Sequence, residues 1–469
     1  IRGISLNPVL GGLVAVLVTG CAGTRPQASQ AGGQAGLQMT LPEARPMGAQ
    51  YRSAGQQAPQ GGESMRTPSL PKGNLTMEQA LAATLLLNPE LTAFSHNLGA
   101  AKARVLQAGV LPNPELEVEV GEYDRGGAGF DSADTAVALG QRFQLGGKRR
   151  WRTRMAEAVG ELAGWDYEGK RLDVFAETAR RFMTVLAAQE RFELARSAVE
   201  LAQKTSGAVG ERVKAGKEPP LQASKSEAEL EMARLDALAA ENALGVARRR
   251  LAAMWGAPVA VFDRAEGNLD HVLDAVPPLE VLRSRLEGNP DLARLEAERR
   301  LRRAALASEK AARIPDLKAS VGYLQFEEDG TDAYAFRVGM PLPLFDRNRG
   351  NITAAQHELA KAESTRWAAE LALAASLADA YAVLTSAHRR VATLQAKVVP
   401  TMEQAYQAAH EGYRQGKFGF LDMLDAQRGL FEGRAALLDA LCEYQAALIA
   451  IQRMTATPID ELTTQGQEN

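Results

Sequence analysis

The spacing of apolar and polar residues divides the chain into long helical stretches and short regions of strict alternation. Residues 115–120 read Glu-Leu-Glu-Val-Glu-Val, which is the period of a strand with one apolar and one charged face. A second strand candidate covers Asp134 to Phe143. Two more, Leu317 to Phe326 and Ala333 to Met340, follow about 200 residues later. Each pair predicts one antiparallel hairpin.

Helical periodicity with few prolines fills most of the remaining chain. The predicted long helices run over about residues 150–215, 221–255, 350–415 and 421–455, the third continuing past Pro400. At 1.5 Å per residue the first would be roughly 100 Å long. No compact domain needs a helix of that length, so the helices predict an extended hairpin architecture.

Each of these elements recurs after about 200 residues. Residues 411–430 match residues 211–230 in Glu, Gly, Lys and two Leu at a spacing of 200, and Asn289-Pro290 repeats Asn88-Pro89 at a spacing of 201. Self-similarity at a fixed spacing indicates a duplicated unit. The unit is helix, strand hairpin, long helix, turn and return helix. We predict a first repeat at 75–258, a linker at 259–278, a second repeat at 279–457 and a C-terminal tail at 458–469.

The N-terminal residues are typical of an export signal. Val9 to Val18 is an apolar core of ten residues, and small residues precede Cys21. We predict a lipoprotein signal peptide at 1–20, a lipidated Cys21, and a flexible tether over 21–74; the alternative is an ordinary secretory signal with an incidental cysteine. No later segment has 18 consecutive apolar residues, which argues against a transmembrane helix.

The composition argues against several classes of partner and site. A net charge of −3 argues against a nucleic-acid partner, and two cysteines cannot build a disulfide framework. The five histidines lack metal-ligand spacing, and no catalytic set of residues emerges. We therefore expect neither a metal site nor a cofactor, and no enzymatic activity.

Four alternating strands cannot close a barrel by themselves, and an isolated sheet would leave two open edges. An apolar face opposite a polar one suits a membrane barrel with lipid outside and water inside. Closure requires several copies of the chain, and three copies would supply twelve strands. A soluble periplasmic scaffold or adaptor with decorative hairpins is the alternative.

The duplicated pattern resembles the TolC-type outer-membrane factors. The motifs that carry the resemblance are LPNPELEVEV, QRFQLGGKR, PLPLFDRNRGN and YRQGKFGFLDMLDAQ. QRFQLGGKR and PLPLFDRNRGN are most similar to the branch that serves heavy-metal efflux of the cobalt-zinc-cadmium resistance type. The resemblance implies a mainly α fold with a transmembrane β-barrel. In it a homotrimer forms a 12-stranded barrel in the outer membrane on a 12-helix tunnel across the periplasm.

The resemblance also implies partners and a task. The partners are a periplasmic adaptor, also called a membrane fusion protein, and an inner-membrane pump of the resistance-nodulation-division class. The chain would passively conduct heavy-metal cations out of the cell. Channels of the same fold that export drugs or secreted proteins are the alternative.

Residues of the second turn match the family's periplasmic gate. The resemblance implies that Asp422 and Asp425 form rings at the closed entrance and that Tyr413 holds the end of the hairpin closed. The alternatives are an acidic first turn of a solvated helix for the aspartates and plain packing for the tyrosine. The first repeat carries Gln222 and Lys225 at the aspartate positions and cannot repeat the ring.

Two further sets of residues are candidates for function. The turns at Gly216-Lys217 and Gly416-Lys417 are expected to contact the adaptor, or otherwise to be solvated loops. The glutamates of the first strand share one face and could line the lumen, or simply form an exposed polar face. They are Glu115, Glu117 and Glu119.

Overall fold

The structure is a computed structural model that describes residues 73–121, 134–326 and 331–457. The predicted signal peptide, the lipidation site Cys21, most of the tether and the C-terminal tail lie outside the described residues. The elements of the first repeat and its flanking segments are β1 (Gly73–Thr76), α1 (Met77–Leu87), α2 (Pro89–Ala108), β2 (Glu115–Gly121), β3 (Asp134–Phe143), α3 (Lys148–Lys214), α4 (Pro220–Ala252) and β4 (Phe262–Glu266). Those of the second are α5 (Leu279–Ser284), α6 (Pro290–Ala312), β5 (Leu317–Phe326), β6 (Thr331–Gly339), α7 (Arg349–Thr393), α8 (Val399–Arg414) and α9 (Phe420–Thr455).

Two asparagines make the same connection in the two repeats. Asn88 caps α2 by accepting from the Leu91 N–H at 3.0 Å, and its Nδ2 donates to the carbonyl of Met254 at 2.7 Å. Asn289 is its equivalent, and its Nδ2 donates to the carbonyl of Met454 at 2.7 Å. In each repeat a buried side chain therefore joins the start of the short helix to the end of the return helix.

A small parallel sheet lies where the sequence predicted a linker. Residues 259–278 include β4, which pairs with β1 from Gly73 opposite Phe262 to Thr76 opposite Glu266. Gln189 of α3 fixes β4, because its side chain donates to the Ala265 carbonyl at 3.1 Å and accepts from the Ala265 N–H at 2.8 Å. The pattern did not reveal this strand because it is only five residues long and does not alternate.

The other four strands form one antiparallel sheet in the order β2-β3-β5-β6. Both predicted hairpins are confirmed, and β3 joins them by pairing with β5 from Thr135 opposite Gln325 to Phe143 opposite Leu317. One face carries apolar side chains, and on β2 these are more than half exposed. They are Leu116, Val118 and Val120. The strand order leaves β2 and β6 as open edges.

The predicted long helices are also confirmed, with one irregularity. α3 is continuous over 67 residues. In the second repeat a π-helical turn, Leu394–Val398, separates α7 from α8. The turn ends two residues before Pro400, whose nitrogen cannot donate a hydrogen bond and whose ring would clash with a carbonyl in a regular helix. The sequence predicted that the helix passes Pro400 but not the wider turn that makes this possible.

Two hydrophobic clusters hold the helices, and each contains aromatic side chains of its own repeat. The first packs Phe175 and Phe182 of α3 against Trp255 and Phe262. The second packs α7 against α9 around Tyr444, whose hydroxyl accepts from the Leu273 N–H at 3.1 Å. Cys442 of α9 is partly buried and packs against the first cluster.

Two helical stretches, Arg349–Arg414 and Phe420–Thr455, hold an 18-residue window apolar enough to cross a membrane by composition. The first has 66 residues and would span roughly 100 Å, far more than a bilayer of about 30 Å. Both belong to the helical hairpin of the second repeat and pack against each other. Composition alone therefore does not distinguish them from helices of an extended hairpin.

Candidate functional site

The two hairpin ends have the same backbone. At the first, the Gly216 N–H donates to the Val213 carbonyl and the Lys217 N–H to the Arg212 carbonyl. At the second, Gly416 and Lys417 make the equivalent bonds, at 3.0 and 2.8 Å. This pair of bonds is the Schellman motif, which needs a left-handed residue at the helix end. The glycines supply it with φ of 67° and 75°.

The second hairpin end has an aromatic side chain folded onto its helix. The Phe418 ring lies against Gly412, where a Cβ atom would be only 2.1 Å from the ring. Gly412 therefore makes room for Phe418, which remains half exposed. The first end has Glu218 at the matching position, so the two ends present different surfaces.

Tyr413 lies between the two hairpin ends and is almost fully buried, at 4% exposure. It packs with Phe420 of its own hairpin and with Val209 of α3. The Arg212 guanidinium lies over its ring at 4.8 Å and forms an ion pair with Glu218 at 3.3 Å. This residue thus joins the end of the second repeat to the end of the first.

The hydroxyl of Tyr413 lies near the Glu218 carboxylate but makes no hydrogen bond of normal geometry among the described residues. Burial, followed by the nearby Glu218 carboxylate, raises the pKa of Tyr413 above its usual value of 10.0. The contact is therefore one of packing and of a cation over a ring, with a neutral phenol at physiological pH.

The two aspartates have different surroundings. Asp422 caps its own helix, because its Oδ2 accepts from the Gly419 N–H at 2.9 Å. Asp425 lies one turn further along α9, is exposed, and makes no ion pair among the described residues. Asp422 thus has the local role expected of an acidic first turn, and Asp425 does not. In the first repeat the Gln222 Oε1 is buried without a partner.

The strand glutamates lie next to cations that the sequence analysis did not connect to them. The Lys318 ammonium is 2.5 Å from Glu117 and 3.1 Å from Glu115, and Arg142 is 3.5 Å from Glu115. Glu119 makes no ion pair in the described part of the sheet. The face is therefore of mixed charge and not acidic. A signal was present, because Lys318 stands at the position of Glu117 after the repeat spacing of 201.

A further link between the hairpins was also missed. Arg428 of α9 forms an ion pair with Glu229 of α4. These residues are 199 apart, close to the repeat spacing, so their proximity follows from the two hairpins lying side by side in register. Residues 73–121, 134–326 and 331–457 contain no group of three or more His, Cys, Asp or Glu that could hold a metal ion.

A model of the outer membrane efflux protein family matches residues 80–257 and 281–457, which are the two repeats. The chain belongs to the outer membrane efflux protein family. Among members of this family it is 37% identical to the cobalt-zinc-cadmium resistance protein CzcC of Cupriavidus metallidurans, over 80% of this chain and 88% of that protein. It is 26% identical to the nickel-cobalt-cadmium resistance protein NccC of Alcaligenes xylosoxydans xylosoxydans, over 64% and 67% of the respective chains.

The fold of this efflux family member is similar to that of solved outer-membrane channels. The open state of the MtrE outer membrane channel of Neisseria gonorrhoeae superimposes with a TM-score of 0.71 at 20% identity, over 82% of this chain and 89% of that one. The resemblance to TolC-type factors and to their heavy-metal branch, predicted from the sequence motifs, is confirmed.

Proposed function

We propose that this efflux family member is the outer-membrane channel of a tripartite resistance-nodulation-division efflux system. It would passively conduct heavy-metal cations of the cobalt, zinc and cadmium class to the cell exterior. The observation that carries the proposal is the 37% identity to a cobalt-zinc-cadmium resistance protein over most of both chains. The absence of catalytic and metal-binding residues from the motifs agrees with a conduit whose selectivity resides in the pump.

The open edges of the chain support assembly as a homotrimer. β2 and β6 have unpaired backbone groups, and an edge strand of one copy could pair with that of the next. The outermost helices also expose apolar side chains. These are Met232, Leu235 and Leu238 on α4 and Trp367 and Leu371 on α7, each more than half exposed. Three copies would bury these edges and close twelve strands around a polar lumen, with the apolar face toward lipid.

In this trimer the hairpin ends would meet around the threefold axis. Asp425, exposed and unpaired, would form a ring of three carboxylates, with Asp422 adding a second ring from its capping position. Such rings attract cations and repel anions in a narrow entrance. Tyr413 would hold the second hairpin against the first. The exposed turns at Gly216-Lys217 and Gly416-Lys417 would be the surface that the adaptor contacts.

The anchor in the outer membrane would be double. The strands would cross it, and an acylated Cys21 would tether the chain to its periplasmic leaflet. Replacing the cysteine, Cys21→Ser, should abolish incorporation of a labelled fatty acid while the protein still enters the membrane fraction through its strands. Unchanged labelling would contradict the lipoprotein proposal without touching the channel proposal.

The function is tested by complementation. In a host that retains a cobalt-zinc-cadmium pump and adaptor but lacks their outer-membrane component, this chain should restore growth on all three metals. The purified protein should require detergent and be a trimer. Rescue of drug tolerance without rescue of metal tolerance would favour the drug-export alternative. A monodisperse monomer without detergent would contradict any channel function.

A further inference from the structure

The four connections between the sheet and the helices lie at one end of the sheet. β2 and β5 begin there, and β3 and β6 end there, as the pairing of Phe143 with Leu317 and of Lys318 with Gly339 requires. We call this region the junction collar. It comprises residues 110–114, 144–154, 313–316 and 340–349.

The junction collar is strongly cationic. It contains eight lysines and arginines but only two aspartates. Within the collar, all of whose residues the structure describes, one ion pair joins Lys148 to Asp316 at 2.6 Å. The arginines at 149, 150, 154, 313 and 349 are exposed and have no carboxylate partner among the described residues. The collar thus carries a concentrated positive charge on a chain whose net charge is −3.

Apolar side chains are interleaved with this charge. Phe345 is 99% exposed, and Leu342 and Leu344 of the same loop are 70% and 64% exposed. On the other side of the sheet end Leu111 is 61% exposed. Two guanidinium groups lie over the ring of Trp151, those of Arg150 at 5.7 Å and Arg154 at 4.9 Å from its centre. A surface for a soluble polyanion needs only charge, whereas this one also exposes large apolar groups.

We propose that the junction collar binds the headgroups of anionic phospholipids, such as phosphatidylglycerol, in the periplasmic leaflet of the outer membrane. The proposal rests on the proposed function, because the strands must cross that membrane for the collar to lie at its inner surface. A guanidinium group can donate two hydrogen bonds to two oxygens of the same phosphate. Aromatic rings prefer the boundary between lipid headgroups and acyl chains. The exposed apolar side chains of the collar would enter the acyl region.

The test uses the trimeric full-length protein in phosphatidylcholine bilayers that contain a trace of spin-labelled lipid. Spin-label spectra give the association of phosphatidylglycerol with the protein relative to phosphatidylcholine. We expect a preference of several-fold for phosphatidylglycerol that declines as salt is added, since exposed charges are screened. The double variant Arg149→Gln with Arg349→Gln, which removes two positive charges per chain, should lose most of the preference.

A matched control removes two exposed arginines at the end of α4, Arg249→Gln with Arg250→Gln, and should keep the preference. A second measurement needs no loss of charge. In Phe345→Trp, brominated phosphatidylglycerol should quench the added fluorescence more than brominated phosphatidylcholine does, if the loop lies in the leaflet.

Three outcomes would overturn the proposal. The first is equal association of both lipids with the parent protein, and the second is a loss of preference in the control as large as that in the collar variant. The third is that brominated phosphatidylglycerol quenches Phe345→Trp no more than brominated phosphatidylcholine does, which would place the loop between copies of the chain. Conductance measured in pure phosphatidylcholine separates the two proposals. If the protein conducts ions in phosphatidylcholine but shows no preference for phosphatidylglycerol in the spin-label experiment, the channel function stands and only the lipid site is refuted.

Discussion

At the scale of single residues, the contact between the hairpin ends depends on shape more than on polar bonds. Tyr413 is buried between the hairpins with its ring under Arg212, yet its hydroxyl makes no hydrogen bond of normal geometry in the described structure. A buried hydroxyl without a hydrogen bond costs stability, on the order of 1–3 kcal/mol. The ring, not the hydroxyl, must therefore provide the favourable part of the interaction.

Replacing this tyrosine separates the two contributions. Tyr413→Phe should leave the contact between the hairpin ends at least as stable, whereas Tyr413→Ala should weaken that contact by about 3–5 kcal/mol through the lost packing. Conductance in planar bilayers is the measurement, with more frequent open events expected only for the alanine variant. A phenylalanine variant that opens like the alanine variant would show that the hydroxyl forms a bond in the trimer.

The raised pKa of Tyr413 fixes the pH dependence of this contact. The folded state favours the neutral phenol, so its contribution is fully present below the ordinary tyrosine pKa near 10 and is lost as pH rises through the higher folded value. In the parent protein, separation of the hairpin ends through ionisation of Tyr413 should appear only in strongly alkaline solution. Phenylalanine at position 413 should remove that alkaline component, which a conductance series over pH would detect.

Gly412 offers a second test at this scale. Gly412→Ala would place a methyl group where the Phe418 ring lies, and we expect a destabilisation of the hairpin end of about 1–3 kcal/mol. The double variant with Phe418→Ala should recover most of that loss, as seen in thermal melting. Gly207→Ala is the control, because a Cβ there meets no neighbouring atom and alanine favours the helix. A loss in the control equal to that of Gly412→Ala would contradict the steric explanation.

At the scale of elements, the sequence predicted what long periodic patterns encode. The helices and both hairpins follow from repeated spacing of apolar residues, and the turns follow from Gly216 and Gly416. The π-helical turn at Leu394–Val398 and the strand β4 were not predictable in this way. The first is a change of hydrogen bonding within an unbroken helical pattern, and the second is fixed by a distant residue, Gln189, whose role only the fold reveals.

The π-helical turn distinguishes the two hairpins mechanically. Its hydrogen bonds are less regular than those of an α-helix, so its amides should exchange with solvent faster. Hydrogen exchange on the trimer should show less protection at Leu394–Val398 than at the corresponding residues of α3, 194–198, which are in an uninterrupted helix. Equal protection of the amides of Leu394–Val398 and of residues 194–198 would show that the π-helical turn does not loosen the second hairpin.

At the scale of the whole molecule, the charge of the polar face of the sheet depends on pairing across strands. The sequence predicted a shared face for the strand glutamates but not their neutralisation. Lys318 reaches Glu117 by passing over β3 at Gly140, where a side chain would meet the lysine Cε at 3.3 Å. Such a contact depends on which strands become neighbours. The strand pattern of either hairpin alone could not show it.

Removing this lysine should change ion selectivity in the proposed trimer. Lys318→Ala would leave Glu115 and Glu117 without their common partner and remove three positive charges from this face of the trimer. The reversal potential under a salt gradient should then shift toward cation selectivity. Arg249→Ala, which removes an exposed charge on the last turn of α4, is the control and should leave selectivity unchanged. No shift for Lys318→Ala would place the face outside the conduction path.

The position shared by Glu117 and Lys318 has a consequence for symmetry. A ring built from six identical repeats would carry the same residue six times, and like charges would repel around the pore. Two repeats in one chain can diverge, so that opposite charges alternate around a threefold ring and attract. The same divergence gives Asp425 at one hairpin end and Lys225 at the other. In the proposed trimer, joining two repeats in one chain would replace sixfold by threefold symmetry and would allow neighbouring positions on the ring to be complementary.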